Sequence, residues 1–399
     1  MNPMDQLRAA RPAHLDTPVD EGTRAAELSY AMAQARTVRA RTIAKPVRGG
    51  LALAGAATVT AVAVAVSGTG GTTPRAPSRA EAAPAATSAA PVVRLSAKQI
   101  LLAAADSSLR APATTGAYWY VDSVIGVANE AGTRARYLVH STTSHRLWIA
   151  RSPEGESWFV DRNLGTRPAK GAEDAWARDG SPTKWSVEVP KPKADDKNAL
   201  GRMELDSTPG RPFGNPINIG DKVFELAGKN VSVADLQALP TTAAALKQRL
   251  LQGYAGHGTE SDDPQDADSW LYQVTSGLLR DMPVKPAVRA AAYKVLAGLD
   301  GVRSLGEVTD TLGRTGQGIA RPENWSGGGF ERQLVIDPET GILLTDQIVA
   351  VRPTGGYAWA EPGTPIWWEA TTEASWTDKA PEKPQSPRVP RSRSGQGPQ

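Results

Sequence analysis

Hydrophobic and polar positions along this chain of 399 residues change their period several times. The run TRAAELSYAMAQARTVRARTIAK places Ala25, Leu28, Met32 and Ala35 at helical spacing, which predicts a helix with one narrow apolar face. Gly50–Gly68, GLALAGAATVTAVAVAVSG, then carries no charge across nineteen positions. A folded pattern begins at Ser96. SAKQILLAAADSSLR predicts a helix with Ser96 as its N-cap. GAYWYVDSVIGVA and RYLVHSTTSHRLWIA predict strands, and SPEG turns the chain into a third, SWFVDR. Residues 163–230, with many Gly, Pro and Lys, predict irregular structure. Apolar residues return at helical spacing in VSVADLQAL, TTAAALKQRLLQGY, DADSWLYQVTSGLLRD and KPAVRAAAYKVLAGL, with Pro240, Pro264, Pro283 and Pro286 at starts or breaks. Five strand-like runs close the pattern: GVRSLGEVTD, TGQGIARP, FERQLVID, GILLTDQIVAV and PIWWEATTEASW. Asp337-Pro338-Glu339-Thr340-Gly341 joins two of them as a tight hairpin turn.

Strands, then helices, then strands joined by hairpins predict an α+β domain in which helices cover an antiparallel sheet. Its predicted limits are 96–376. Residues 69–95 read as a Pro/Ala/Ser linker and 377–399 as a disordered Pro/Ser/Arg tail. Residues 1–48 form a separate segment of short helices, too poor in large apolar residues to bury a core.

Charge decides how the apolar stretch is read. Nineteen helical residues reach roughly 28 Å, close to a hydrocarbon thickness of about 30 Å. The six Leu and Val supply roughly −2 to −3.5 kcal/mol of insertion free energy, and no charge opposes it. Arg36, Arg39, Arg41, Lys45 and Arg48 precede the stretch, against Arg75 and Arg79 after it. The positive-inside rule puts the N-terminus in the cytoplasm and the large domain outside the plasma membrane. A membrane helix over residues 49–68, with Gly50, Leu51, Leu53, Val59, Val62, Val64 and Val66 in lipid, is preferred over a cleaved signal peptide ending near Ala63-Val64-Ala65, because 48 residues is far too long an n-region. A buried core helix is the remaining alternative. Leu28 and Met32 are the candidate partner face on the cytoplasmic side; the alternative is a basic helix lying on anionic lipid.

Candidate chemistry is sparse. There is no Cys, so thiolate metal sites, disulfides and Cys nucleophiles are excluded. Net charge is +3 and the basic residues gather at the two ends, which argues against nucleic acid as a partner. Of four histidines, His140 and His145 are an odd number of residues apart and fall on opposite faces of one strand; His257 reads as a loop residue. The acidic loop Glu260–Asp268 lacks the Gly and late Glu of an EF-hand, and Asp266 and Asp268 suit a helix N-terminus. Ser326 lies outside any nucleophile elbow. No catalytic, cofactor-binding or metal residue is assigned, and the chain is not read as an enzyme. Seven of its eleven tryptophans, Trp119, Trp148, Trp158, Trp359, Trp367, Trp368 and Trp376, are expected in strands, as sheet packing or as the lining of an apolar concavity.

Several stretches resemble actinobacterial single-pass membrane proteins found beside extracytoplasmic-function sigma factors. They are Leu7-Arg8-Ala9-Ala10-Arg11-Pro12, Leu239-Pro240 followed by Ala243–Leu251, Leu278–Val302, and the hairpin IDPETGILL. The strand–helix–strand order with that hairpin also looks like the curved half-barrel of LolA-like and MucB-like periplasmic proteins, which bind lipid or regulate an anti-sigma factor. The resemblance implies an extracytoplasmic sensing or binding domain with a lipid or peptide ligand, and a sigma factor or other regulator as cytoplasmic partner. The alternative is a membrane-tethered lipid or peptide carrier without a signalling role.

Overall fold

The computed structural model describes residues 95–190, 200–217, 220–259, 264–325 and 328–384. The stretch Gly50–Gly68, its cationic flank Arg36–Arg48, and Leu28 and Met32 lie outside these residues. Among the described residues no helix is long and apolar enough to cross a membrane.

Nine strands form one curved antiparallel sheet, and the fold is α+β. Strands β1 (Tyr118–Ala131), β2 (Tyr137–Ala150) and β3 (Trp158–Pro168) follow the first helix, α1 (Ala97–Arg110). The short β6 (Phe213–Pro216) adds an edge to β3. After the helical middle, β9 (Arg303–Thr309), β10 (Thr315–Trp325), β11 (Gly328–Asp337), β12 (Ile342–Pro353) and β13 (Pro365–Thr377) run as a meander. Pairing of β1 with β13 joins the N- and C-terminal halves at the middle of the sheet. Register shifts at Asp122/Ser123, Thr142/Thr143 and Val335/Ile336 are bulges, which bend strands and increase twist.

Residues 163–230 are not irregular as the composition predicted. β3 runs on to Pro168, a short helix α2 (Glu173–Arg178) follows, and β4 (Lys184–Pro190) pairs with β5 (Leu200–Asp206) as a separate hairpin. β7 (Phe224–Leu226) and β8 (Lys229–Val231) make a second small hairpin. Trp185, Val187 and Val189 alternate with polar residues, so β4 buries one face.

Four further helices stand between the strand groups: α3 (Val233–Gln237), α4 (Ala243–Leu251), α5 (Ala267–Asp281) and α6 (Pro286–Leu296). Pro286 starts α6, where its missing N–H costs nothing. Ser96 caps α1: its side chain accepts from the Gln99 amide while Gln99 reaches back to Ser96. Residues directly opposite in an antiparallel pair share a face. By that rule Trp119, Val121, Leu147, Ile149, Leu334 and Ile336 all lie on one face, and they form a single core with the inner faces of α1, α4, α5 and α6.

The Asp337–Gly341 turn is held from above by two helices. Pro338 O accepts from Ser107 Oγ at 2.8 Å, and Gly341 O accepts from Tyr293 Oη at 3.0 Å. Gly341 has φ +72°, and a Cβ there would stand 2.5 Å from Ser108 Oγ and 2.7 Å from Ala104 O. Both the left-handed backbone and the closeness of α1 demand glycine.

Candidate functional site

The helix-covered face of the sheet does not carry one continuous apolar core. A second cluster, with Tyr137, Val139, Phe330, Ile348 and Trp367, packs beneath the β4–β5 hairpin and the segment around Ala360. A belt of polar side chains separates the two. On β1, β2 and β3 it consists of Ser123, His145 and Asp161, directly opposite one another in the register. Glu369 of β13, Asp346 of β12, Arg332 of β11 and Glu323 of β10 continue it across the sheet, and all of these side chains are buried.

Geometry shows how the belt tolerates burial. Arg332 Nη1 donates to both Asp346 oxygens at 2.9 Å, and its Nε donates to Glu323 Oε1 at 2.9 Å. From above, Arg280 of α5 donates through Nη1 to Asp346 Oδ2 at 2.9 Å. Its Nε stands 3.0 Å from Glu369 Oε2, close enough for an ion pair but not aligned as a hydrogen bond. Glu369 also accepts from Ser123 Oγ at 3.1 Å. Burial alone would weaken the Arg332 charge, but Asp346 and Glu323 outweigh it and hold the guanidinium charged. Such a network stabilises mainly through its completeness: one removed partner leaves a buried charge uncompensated.

Some polar atoms in the belt make no hydrogen bond among the described residues. They are Arg332 Nη2, the Tyr272 hydroxyl and Thr371 Oγ1, all buried. Burial, followed by the Asp346 charge, pushes the Tyr272 phenol well up, so it remains a neutral donor. A crevice of about 50 Å³ reaches this region between α5 and β7, lined by Phe224, Gln273, Gly277, Arg280, Asp281 and Arg332. That space holds a few water-sized groups, whereas pockets for drug-sized ligands run to about 300–1,000 Å³.

Ser123, His145 and Asp161 are the residue types of a hydrolytic triad, and His145 Nδ1 lies 2.5 Å from Asp161 Oδ1. The hydroxyl proton of Ser123, however, is directed at Glu369, and Ser123 is 0% exposed. A nucleophile needs its hydroxyl on the base and an approach for substrate, and this array has neither. Ser123 and Asp161 are separated from His145 by unrelated intervals along the sequence, and only strand register unites the three.

His140 faces the other side of β2, opposite Ala128, so the two histidines do lie on opposite faces. Its ring stands edge-on to Trp368 at 5.1 Å, and burial lowers its pKa to about 4. His257 Nδ1 contacts Gly258 O at 2.7 Å in a loop bridged to Pro264. Of the acidic loop, residues 260–263 lie outside the described residues, as does Ser326. Asp266 is the N-cap of α5 and accepts from the Ser269 amide at 2.9 Å, and Asp268 accepts from the Asp300 amide at 3.0 Å. Among the described residues no group of three or more His, Asp or Glu is placed to hold a metal ion. Trp359 sits in a turn after the 3₁₀ segment Gly355–Tyr357, not in a strand; its Nε1 donates to Gly356 O at 2.9 Å. Trp119 donates to Asp281 O at 2.7 Å and meets Trp376 edge-on at 5.4 Å, which is sheet packing.

No family model, curated protein or solved structure matches this chain.

Proposed function

We propose that this chain is a single-pass protein of the plasma membrane whose extracytoplasmic domain senses or binds an envelope component and whose residues 1–48 contact a cytoplasmic regulator. Residues 49–68 cross the bilayer, with Arg36–Arg48 on the cytoplasmic side. The curved sheet with helices on one face is a half-barrel of the LolA-like kind. The cytoplasmic contact is an extracytoplasmic-function sigma factor docked on Leu28 and Met32.

The observation that supports this reading is where the folded domain begins. α1 is closed by its own capping box at Ser96, and both Leu95 and Ser96 are exposed. The chain therefore enters the domain from its surface, as a tether requires, and the Pro/Ala/Ser composition of the run before it suits a linker. The crevice between α5 and β7, with Arg280, Asp281 and Arg332 in its lining, suits a small polar group.

Purification of the full chain from its native membranes tests the cytoplasmic half. A sigma factor is expected to co-purify, and Leu28→Asp with Met32→Asp is expected to reduce its recovery at least tenfold. Recovery of the same proteins from both forms would remove the regulatory role.

A further inference from the structure

The face of the sheet turned away from the helices carries a row of aromatic side chains with a segment lying over it. Tyr120 of β1, Trp148 of β2 and Trp158 of β3 are opposite one another in the register. Tyr120 and Trp148 rings are 4.8 Å apart, and Pro216 of the edge strand β6 stands opposite Trp158. The row therefore runs across four strands to the sheet's edge.

The chain beyond β13 crosses this row. Asp378 Oδ1 accepts from the Ala117 amide at 2.9 Å, beside the start of β1. Arg146 of β2 stacks over the Trp148 ring at 5.7 Å and donates to Glu382 at 3.0 Å. Lys383 lies 4.6 Å from the Trp158 ring centre and 2.7 Å from Glu156, whose same oxygen accepts from Trp158 Nε1 at 2.6 Å. The segment thus touches β1, β2 and β3 in succession. Five residues in polyproline II form, at about 3.1 Å each, would cover roughly 15 Å, enough for two strand spacings of about 4.8 Å.

Proline spacing explains the fit. Pro381 and Pro384 are half-buried, while Glu382 and Lys383 between them are exposed and carry the ion pairs. Prolines recur at 381, 384, 387 and 390, one for every third residue. A polyproline II helix has three residues per turn, so in that form the spacing of Pro381 and Pro384 puts both on one side. Aromatic-lined grooves are what such helices dock against, and a preformed helix loses little entropy on binding. We propose that the Tyr120–Trp148–Trp158 row is a docking groove for a polyproline II segment, and that its occupant is the chain's own segment Asp378–Pro384, seated by Pro381 and Pro384. Held in cis, the tail closes the groove to other proline-rich segments at an effective concentration of millimolar order.

A synthetic peptide of residues 378–391 provides the test, titrated by calorimetry against the full chain in detergent and against the chain ended at Thr377. The shortened chain should bind the peptide at least tenfold more tightly than the full chain. Trp158→Ala in the shortened chain should lose that gain, and so should a peptide with alanine at all four proline positions. If removing the tail prevents folding, Pro381→Ala with Pro384→Ala in the full chain should free the groove and give the same gain, since these two prolines seat the segment. Absence of binding by a folded, tail-free groove would overturn the proposal. Equal binding of the proline and alanine peptides would also overturn it, because the contact would then be ionic alone.

Discussion

Gly341 and Gly126 show how single positions fix the fold. At Gly341 an added Cβ meets α1 while the backbone is left-handed, so Gly341→Ala is expected to cost about 3 kcal/mol in denaturant unfolding, more than an ordinary surface change. An unchanged midpoint would mean that the turn does not bear on α1. At Gly126 a Cβ would overlap the Trp368 indole, which packs directly against the glycine's backbone. His140 meets that same indole edge-on, and its lowered pKa makes a pH prediction. An unfolded histidine titrates near 6.5 and the native one near 4, so the unfolded chain takes up the proton first as pH falls. This contribution is intact above about pH 6.5 and is lost as pH falls toward 4, by at most about 3 kcal/mol. His140→Phe should flatten the stability–pH curve over that window; an identical slope in both forms would show that other groups govern it.

Elements differ in how far their sequences reveal them. α1, α5 and α6 and the β11–β12 hairpin are legible, because their periods are long and their caps and turn residues are local. The β4–β5 hairpin is hidden: five alternating residues between prolines and lysines bury their face only once the large sheet exists to receive it. The polar belt is hidden for the same reason. Arg332, Asp346 and Glu369 carry no shared spacing, and each reads as an ordinary exposed strand residue until Arg280 of α5 is laid across them. The tail's proline period is plain in the sequence, but the aromatic row beneath it is assembled from three strands. The belt ties α5 to the sheet through charge, and its weight is measurable. Arg332→Met leaves Asp346 and Glu323 short of a partner and is expected to cost about 3–5 kcal/mol, while Arg332→Met combined with Glu323→Leu should recover part of the loss. A double variant no more stable than the single one would show that the two groups do not act as a pair.

At the scale of the whole molecule, the domain is a sheet with two unlike faces. One is buried under helices and a hairpin, with the polar belt and crevice between its two cores; the other buries His140, Trp368 and Val335 and is crossed near β1–β3 by the segment after β13. The described domain begins at its surface, with Leu95 and Ser96 both exposed. Only a membrane crossing at residues 49–68 would place this domain and residues 1–48 on opposite sides of a bilayer, and the regulatory proposal depends on that separation. Because the chain has no Cys, a single introduced thiol reports its own side of the membrane. Ser152 lies in an exposed turn of the domain and Ser29 lies beside Leu28 in the N-terminal segment. With a membrane-impermeant maleimide on intact cells, Ser152→Cys is expected to label at once and Ser29→Cys only after permeabilisation. Labelling of both in intact cells, of neither, or of a form released to the medium without its first 65 or so residues would contradict the two-sided arrangement.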